Sequence, residues 1–518
     1  MAKSTAPRSS SPSQSPRSSV NLSRRQLLAG AGAGAAALLL EQSGVQAQAT
    51  QSGTVVFSHT TVVTGDADRA ALSDVALAVN GDTIVAIGPT DPILEMHPQA
   101  EVYDGRGKAL LPGLINCHAH LAATLSRGFN EDFGFPNRAQ LPIRPRSLLS
   151  EEEATLMATI GALEAIRCGT TTVVQNTSRI ARSAAALAST GQRWVFAESV
   201  RDIENGSGPM SPERLASSEA PRFSPRLRDE GLQRIEDLFT TWHGANQGRI
   251  SVFPAAALTE LSSPELLHAV RAFAEKHDVG YTIHLNQTHA EVEYMLRYHG
   301  VRPAAYLHQH DFLGPELFAA HCRYVDDSEI ALLGDARTII THQAAMAANR
   351  GVSPPIPALR EAGCTIALGT DNNNNDMFAV MKVALLTERI RRNDEHPGLL
   401  PQPEDILEDA AQGGAQAVHQ GELIGSLEVG KKADLIVLDT QKAHLVPAGR
   451  ILSAWIRNGQ PSDIESVMVD GQFIMRDHKV LTMDEDSIIA EADAVGRRIW
   501  NQVLKAGPLI LPGRSRQR

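Results

Sequence analysis

The chain has 518 residues, enough for one large domain with a smaller companion. Aromatic residues make up 4% of it against 42% hydrophobic, so the core is built from Ala, Val, Ile and Leu, which suits a parallel α/β protein better than an aromatic-rich sandwich. The net charge of −11 gives no sign of the clustered positive charge that a nucleic-acid partner needs, and four cysteines, Cys117, Cys168, Cys322 and Cys364, are too few for a disulfide framework.

In chain order, residues 1–49 read as an address. Ser23-Arg24-Arg25-Gln26-Leu27-Leu28 resembles the twin-arginine export motif, ahead of a short Ala/Gly/Leu run and a small-residue cleavage site at Ala47-Gln48-Ala49. The apolar run from Leu27 to Leu40 is too short and too rich in glycine to span a bilayer. The reading implies export in the folded state by the twin-arginine translocase, a mature start near Thr50, a periplasmic location and no membrane span in the mature protein. Residues 4–19, rich in Ser, Pro and Arg, are low-complexity.

From about residue 53, "TVVFSHTTVVTG" and "DVALAVNGDTIVAIG" alternate between turn signals and predict antiparallel hairpins. The pattern then changes to continuous apolar runs ending in polar residues: "ALLPGLINCHAH", "TTTVVQN", "RWVFAESV", "RISVFPAAA", "GYTIHL", "ELFAAHC", "RTIITHQ" and "CTIALGTD". Helical stretches separate them, such as 150–169 with a capping box opening at Ser150, and 262–278 with apolar residues at helical spacing. Eight buried strands alternating with helices is the count of a (β/α)8 TIM barrel. The runs "GSLEVGKKADLIVLD" and "IESVMVDGQFIMRD" return to short strands and complete the first β domain. The expected organisation is a signal peptide at 1–49, β domain at 50–108, barrel at 109–420, second part of the discontinuous, β-sandwich-like domain at 421–485, and a C-terminal helix and tail at 486–518.

The chemistry gathers where such barrels place active sites. His118, His120, His284, His321, His342 and Asp371 fall at or just past the C-terminal ends of their strands. His118 and His120 are two apart on an extended segment, so both imidazoles point the same way. With His284 and Asp371 they offer three imidazoles and a carboxylate, a set that suits Zn²⁺ and can also hold Fe²⁺ or Mn²⁺. Cys117 and Cys322 sit beside histidines of this set and are either further ligands or small buried residues under the site.

These motifs, "PGLINCHAH" with Arg127-Gly128 after it, "GTTTVV", "HL" at 284, "HC" at 321, "THQ" at 341, "GTD" at 369 and the closing "GSLEVGKKADLIVLD", resemble the metal-dependent amidohydrolase superfamily. The likeness is to the branch of cytosine, guanine and S-adenosylhomocysteine deaminases and triazine hydrolases, over roughly residues 53–480. The resemblance implies a single ion on His118, His120, His284 and Asp371, with Asp371 also the general base and His321 a catalytic hydrogen-bonding residue. It makes His342 a substrate or supporting contact; Arg127 and Asn372 stand as further substrate-binding candidates. No lysine follows strand 4, which argues against a lysine-bridged two-metal site. The departure is Gln287, where deaminases of this family look like H-x-x-E: an amide has no proton to give near neutral pH. His289 and Glu291 are the nearby groups able to stand in.

Without that acid the expected reaction is hydrolysis of a non-peptide C–N bond of amide, urea or carbamate type in a small molecule. The alternatives are deamination or dehalogenation of an N-heterocycle (purine, pyrimidine or triazine), and a non-catalytic periplasmic binding protein that kept the fold. Phe129, Phe133 and Phe135 after strand 1, and the long loop after strand 3, are candidates for a lid or for contacts between copies in a homo-oligomer. The run Asn372–Asn375 either orients Asp371 or forms a polar turn.

Overall fold

The computed structural model describes residues 53–133, 141–372, 374–395 and 400–510. The export signal expected over 1–49 lies outside the described residues, as do Phe135, the side chain of Phe133, and Asn373 within the asparagine run. Five strands come first: β1 (Thr54–Val63), β2 (Ala71–Asn80), β3 (Thr83–Pro89), β4 (Glu101–Asp104) and β5 (Lys108–Pro112). β1 pairs antiparallel with β2, and β2 with β3, as the alternation predicts.

The run expected as one strand, "ALLPGLINCHAH", is two. β5 pairs with β1 and with the C-terminal part of the chain, whereas β6 (Leu114–Ala119) opens the barrel beside β7 (Thr170–Thr177). Gly113 lies at the break, packed so closely on Thr171 that a side chain there would collide with it. Apolarity alone cannot mark such a division, since both pieces are buried.

The barrel continues with β8 (Arg193–Val200), β9 (Ile250–Leu258), β10 (Tyr281–Leu285), β11 (Leu317–His321), β12 (Ile339–His342) and β13 (Ile366–Leu368). All eight strands pair in parallel in chain order, and their near-continuous burial fits a sheet covered on both faces. The helix Glu151–Arg167 starts at Ser150 through the capping box with Glu153. Helix Pro264–His277 starts at Ser263, whose hydroxyl accepts the Leu266 N–H.

The barrel closes between β13 and β6 through a single bridge, Ala119 to Asp371, flanked by Asp371 N–H to His118 O at 2.8 Å and His120 N–H to Asp371 O at 3.1 Å. Gly369 permits that approach: an added Cβ would lie 2.9 Å from the His118 nitrogen. The seam of the barrel is therefore also where the candidate metal ligands meet.

After the barrel come β14 (Leu435–Asp439), β15 (Ile464–Val469), β16 (Gln472–Arg476) and β17 (Lys479–Val480). β14 pairs antiparallel with β5, so both ends of the chain build one nine-stranded sheet. Pairing is continuous, but the strands wrap a shared core of Phe57, Leu77, Leu110, Val437, Met468 and Phe473, which gives the domain its sandwich-like section. The helix Glu485–Ala506 returns to the barrel, where Trp500 Nε1–H donates to Leu125 O at 2.8 Å. Among the described residues, no helix is long and apolar enough to cross a membrane.

Candidate metal centre

His118 and His120 sit at the end of β6 with their rings 4.8 Å apart and nearly perpendicular. His120 Nδ1 meets Asn176 O at 2.5 Å, and His284 Nδ1 meets Ala257 O at 2.6 Å. A carbonyl only accepts, so each Nδ1 carries the proton and each Nε2 presents a lone pair. Those two Nε2 atoms lie 3.3 Å apart, with Asp371 Oδ1 at 3.5 Å from that of His120. Two lone pairs held face to face beside a carboxylate repel unless a cation lies among them, and the Nδ1–H to carbonyl bond is how proteins orient metal-binding imidazoles.

His118 supplies the third imidazole; both its ring nitrogens are buried without a hydrogen-bond partner. Two sets of ligand atoms lie mutually within 4.8 Å, His118–His120–Asp371 and His118–His284–His321. The donor set fits a divalent ion of the zinc type. His321, expected as a hydrogen-bonding group, thus stands close enough to be a ligand as well, and both its ring nitrogens are buried and unpartnered.

Backbone strain aims these groups. Asp371 has φ 61°, His321 φ 80° and Asn286 φ 48°, left-handed conformations that cost of order 1–3 kcal/mol each for residues with a Cβ. They cluster where the strands end and turn side chains inward.

Electrostatics keep the imidazoles neutral and ready to bind a cation. Burial, then the charge of Arg146, holds His120 down at about 4, and burial followed by His120 does the same for His284. His342 is pushed down to about 3 by burial and Arg360. Burial raises the Asp371 carboxyl above its usual range, opposed by His284, Arg350 and Arg323.

A cavity of about 1030 Å³ opens onto the site, lined by His120, His284, Asp371, Gln287 and Asn372 among others. Gln287 is pinned on both sides of its backbone: its N–H donates to Glu291 Oε2 at 2.6 Å and its carbonyl accepts from Arg323. Its side-chain oxygen is buried without a partner.

Several sequence expectations need correction. Glu291 cannot replace the missing acid, because its carboxylate is spent on the Asn286 and Gln287 N–H groups and on the capping box of helix His289–His299. His289 is exposed and pairs with Glu293 at 2.9 Å. Arg127 does not line the cavity; it pairs with Glu164, which also accepts from Asn375 N–H at 3.0 Å. Asn375 is thereby engaged away from Asp371. His342 is buried at the end of β12 and does not line the cavity, so the substrate contact falls; it lies near enough to His321 to act on that ring, which leaves the supporting contact. For Cys117 and Cys322 the reading as small buried residues holds: both are free, buried thiols raised by burial, outside both ligand sets.

Two features escaped the sequence reading. Glu260, just past β9, is pushed up to about 7 by burial, with Oε1 accepting the Met210 N–H at 3.0 Å and Oε2 buried without a partner. It does not line the cavity. The second is a set of arginines on the cavity wall, which come from several loops and helices and share no sequence spacing.

The model of the amidohydrolase family matches residues 109–474. The chain belongs to the amidohydrolase family. This amidohydrolase is 33% identical over 445 residues, 85% of its length and 96% of the relative's, to a 5-methylthioadenosine/S-adenosylhomocysteine deaminase of Syntrophobacter fumaroxidans. Its fold matches an adenosine deaminase from Xanthomonas campestris with bound zinc at TM-score 0.76 and 25% identity, covering 86% of this chain and 98% of that one. It also matches an atrazine chlorohydrolase from Arthrobacter aurescens complexed with zinc, at TM-score 0.72 and 22% identity, over 85% of this chain and 100% of that one. The chain is thus a metal-dependent hydrolase acting on C–N bonds other than peptide bonds, and the reading as a non-catalytic binding protein falls.

Proposed function

We propose that this amidohydrolase cleaves an amide, urea or carbamate C–N bond of a small molecule, with one zinc ion on His118, His120, His284 and Asp371. The observation that carries the reading is Gln287: the cavity wall beside His284 holds an amide, and neither His289 nor Glu291 reaches in to replace an acid. Addition to a heteroaromatic ring needs a proton on the ring nitrogen; addition to a carbonyl does not.

A bound divalent ion would supply Lewis acidity and lower the pKa of a water from ~15.7 toward ~7. Asp371, buried and raised by burial, takes the proton of the attacking water and passes it to the departing nitrogen. His321, kept neutral by burial, donates an N–H to the oxygen that gains charge, worth roughly 3–4 kcal/mol for one good donor. Gln287 hydrogen-bonds the substrate and moves no proton. Fe²⁺ or Mn²⁺ would serve the same ligands.

The second reading, deamination of an amino-heterocycle, is favoured by the name of the relative that is 33% identical. Product analysis on metal-loaded protein separates the two. Amine release from open-chain amides, ureas or carbamates is expected, and ammonia release confined to amino-purines, pyrimidines or triazines would overturn the first. The twin-arginine motif at Ser23–Leu28 supports folded export to the periplasm. Fractionation of a fusion carrying residues 1–49 would test it, with loss of export expected on replacing Arg24-Arg25 by lysines.

A further inference from the structure

On a chain of net charge −11, the wall of the active-site cavity is basic. Arg144, Arg146, Arg179 and Arg201 all line it, and among the described residues none has a carboxylate within ion-pair distance. The segment 134–140, which lies outside the described residues, contains no Asp or Glu that could pair with them. Arg214 and Arg234 bring the guanidinium groups on the wall to six, against four carboxylates: Glu204, Glu213, Glu230 and Asp371. By contrast, Arg193, Arg302 and Arg360, away from the cavity, all have acidic partners.

Two of the four also stand close to another cation or to a metal ligand. Arg144 is near enough to Arg214 to lower its pKa, beneath the larger effect of burial. Arg146 is near enough to His120 to do the same there. The surface area of Arg146 is that of an exposed residue, while its electrostatics are those of a buried one, with desolvation alone lowering it. Both hold for a side chain on the wall of a deep concavity, reached by solvent from the cavity and backed by protein. Like charges collected in a concavity, next to a site built for a divalent cation, repel one another and focus anions inward. A planar guanidinium fork matches a carboxylate with two parallel hydrogen bonds.

We infer that the substrate carries a carboxylate, held by Arg146 with the other arginines of this wall while the scissile carbon lies over His120, His284 and Asp371: an acylamino or carbamoylamino acid, or an amide of a dicarboxylic acid. The inference rests on the C–N hydrolysis proposed above. In the reaction a C–O bond to water oxygen forms, the C–N bond breaks, and the water proton ends on the nitrogen. The anionic group takes no part in the bond changes; Arg146 is a binding residue.

The test is calorimetric binding to the zinc-loaded full chain, using succinamate, its neutral counterpart succinamide, and 3-phosphonopropanamide. Succinamate is expected to bind at least about tenfold tighter than succinamide, the worth of a charge-assisted bond. Arg146→Gln should shrink that preference about tenfold or more and Arg146→Lys should recover part of it. Raising the salt concentration should weaken succinamate and not succinamide. Equal binding of the two amides, no detectable succinamate binding, or a preference unchanged in Arg146→Gln would overturn the inference, and tighter binding of the phosphonate would overturn the carboxylate class. Ammonia release from the same probes reports separately on the reaction. Selective binding with no C–N cleavage of any substrate sinks the proposed reaction and leaves the anion site standing; cleavage without charge selectivity does the reverse.

Discussion

Gln287 decides more chemistry than any other single side chain here. Its backbone is clamped by Glu291 and Arg323 while its amide faces the cavity, the arrangement of a substrate contact. Gln287→Ala is expected to raise KM with little change in the pH profile; a thousandfold or greater loss of kcat with unchanged binding would contradict that role. The histidines make a second residue-scale prediction. His120 and His284 titrate near 4 in the folded chain, against about 6.5 unfolded, so between those values the unfolded state binds more protons. Stability of the metal-free protein is therefore present above about pH 6.5 and lost as pH falls toward 4. For the same reason metal affinity, followed by chelator competition, should be nearly flat from about pH 7.5 to 6 and fall below about pH 5. A tenfold loss per unit already between pH 7 and 6 would mean imidazoles of ordinary pKa. That His118, His120, His284 and Asp371 come together could be read from the sequence because period-two spacing and strand ends place them on one rim. Arg127 misled because its partner, Glu164, lies on a helix that spacing cannot pair with it.

Among the elements, the seam between β13 and β6 carries the site. Gly369→Ala is expected to displace His118, since the new Cβ would meet its nitrogen at 2.9 Å and its Cβ at 3.0 Å, costing about 1–3 kcal/mol and most of the bound metal. Metal content with a denaturant midpoint checks this; full metal occupancy with wild-type stability would show that the seam has slack. The barrel strands were legible as eight apolar runs because parallel strands covered on both faces read as continuous hydrophobic stretches. The division of the first run was not, as Gly113 separates two buried strands of different sheets and leaves no trace in hydropathy. The helix after β10 shows the opposite case. Glu291 looks like a reactive neighbour of the site in sequence, yet with Thr288 it forms a capping box, and its carboxylate also holds the Gln287 N–H.

At the scale of the molecule, Arg193 on β8 ties the barrel to the β domain. Its guanidinium donates to Asp434 Oδ2 at 2.6 Å and to Asp470 Oδ1 at 2.5 Å, all three groups buried. Arg193→Met leaves two buried carboxylates without their cation and should cost about 3–5 kcal/mol in chemical denaturation; a loss below about 1 kcal/mol would mean that the two parts are held by apolar packing alone. The discontinuous domain was legible because both ends of the chain return to short alternating strands. The basic cavity was not, because its arginines come from loops and helices far apart in the sequence that only the fold brings onto one wall. In the proposed function, an amide at position 287 restricts this metal-dependent hydrolase to carbonyl C–N bonds. The most direct measurement follows ammonia release from an aminopurine nucleoside and amine release from an open-chain carbamate or urea, for zinc-loaded wild type and Gln287→Glu side by side. Wild type is expected to release amine and leave the ring intact, and Gln287→Glu to gain ring deamination. Wild type deaminating the ring faster than Gln287→Glu would contradict it.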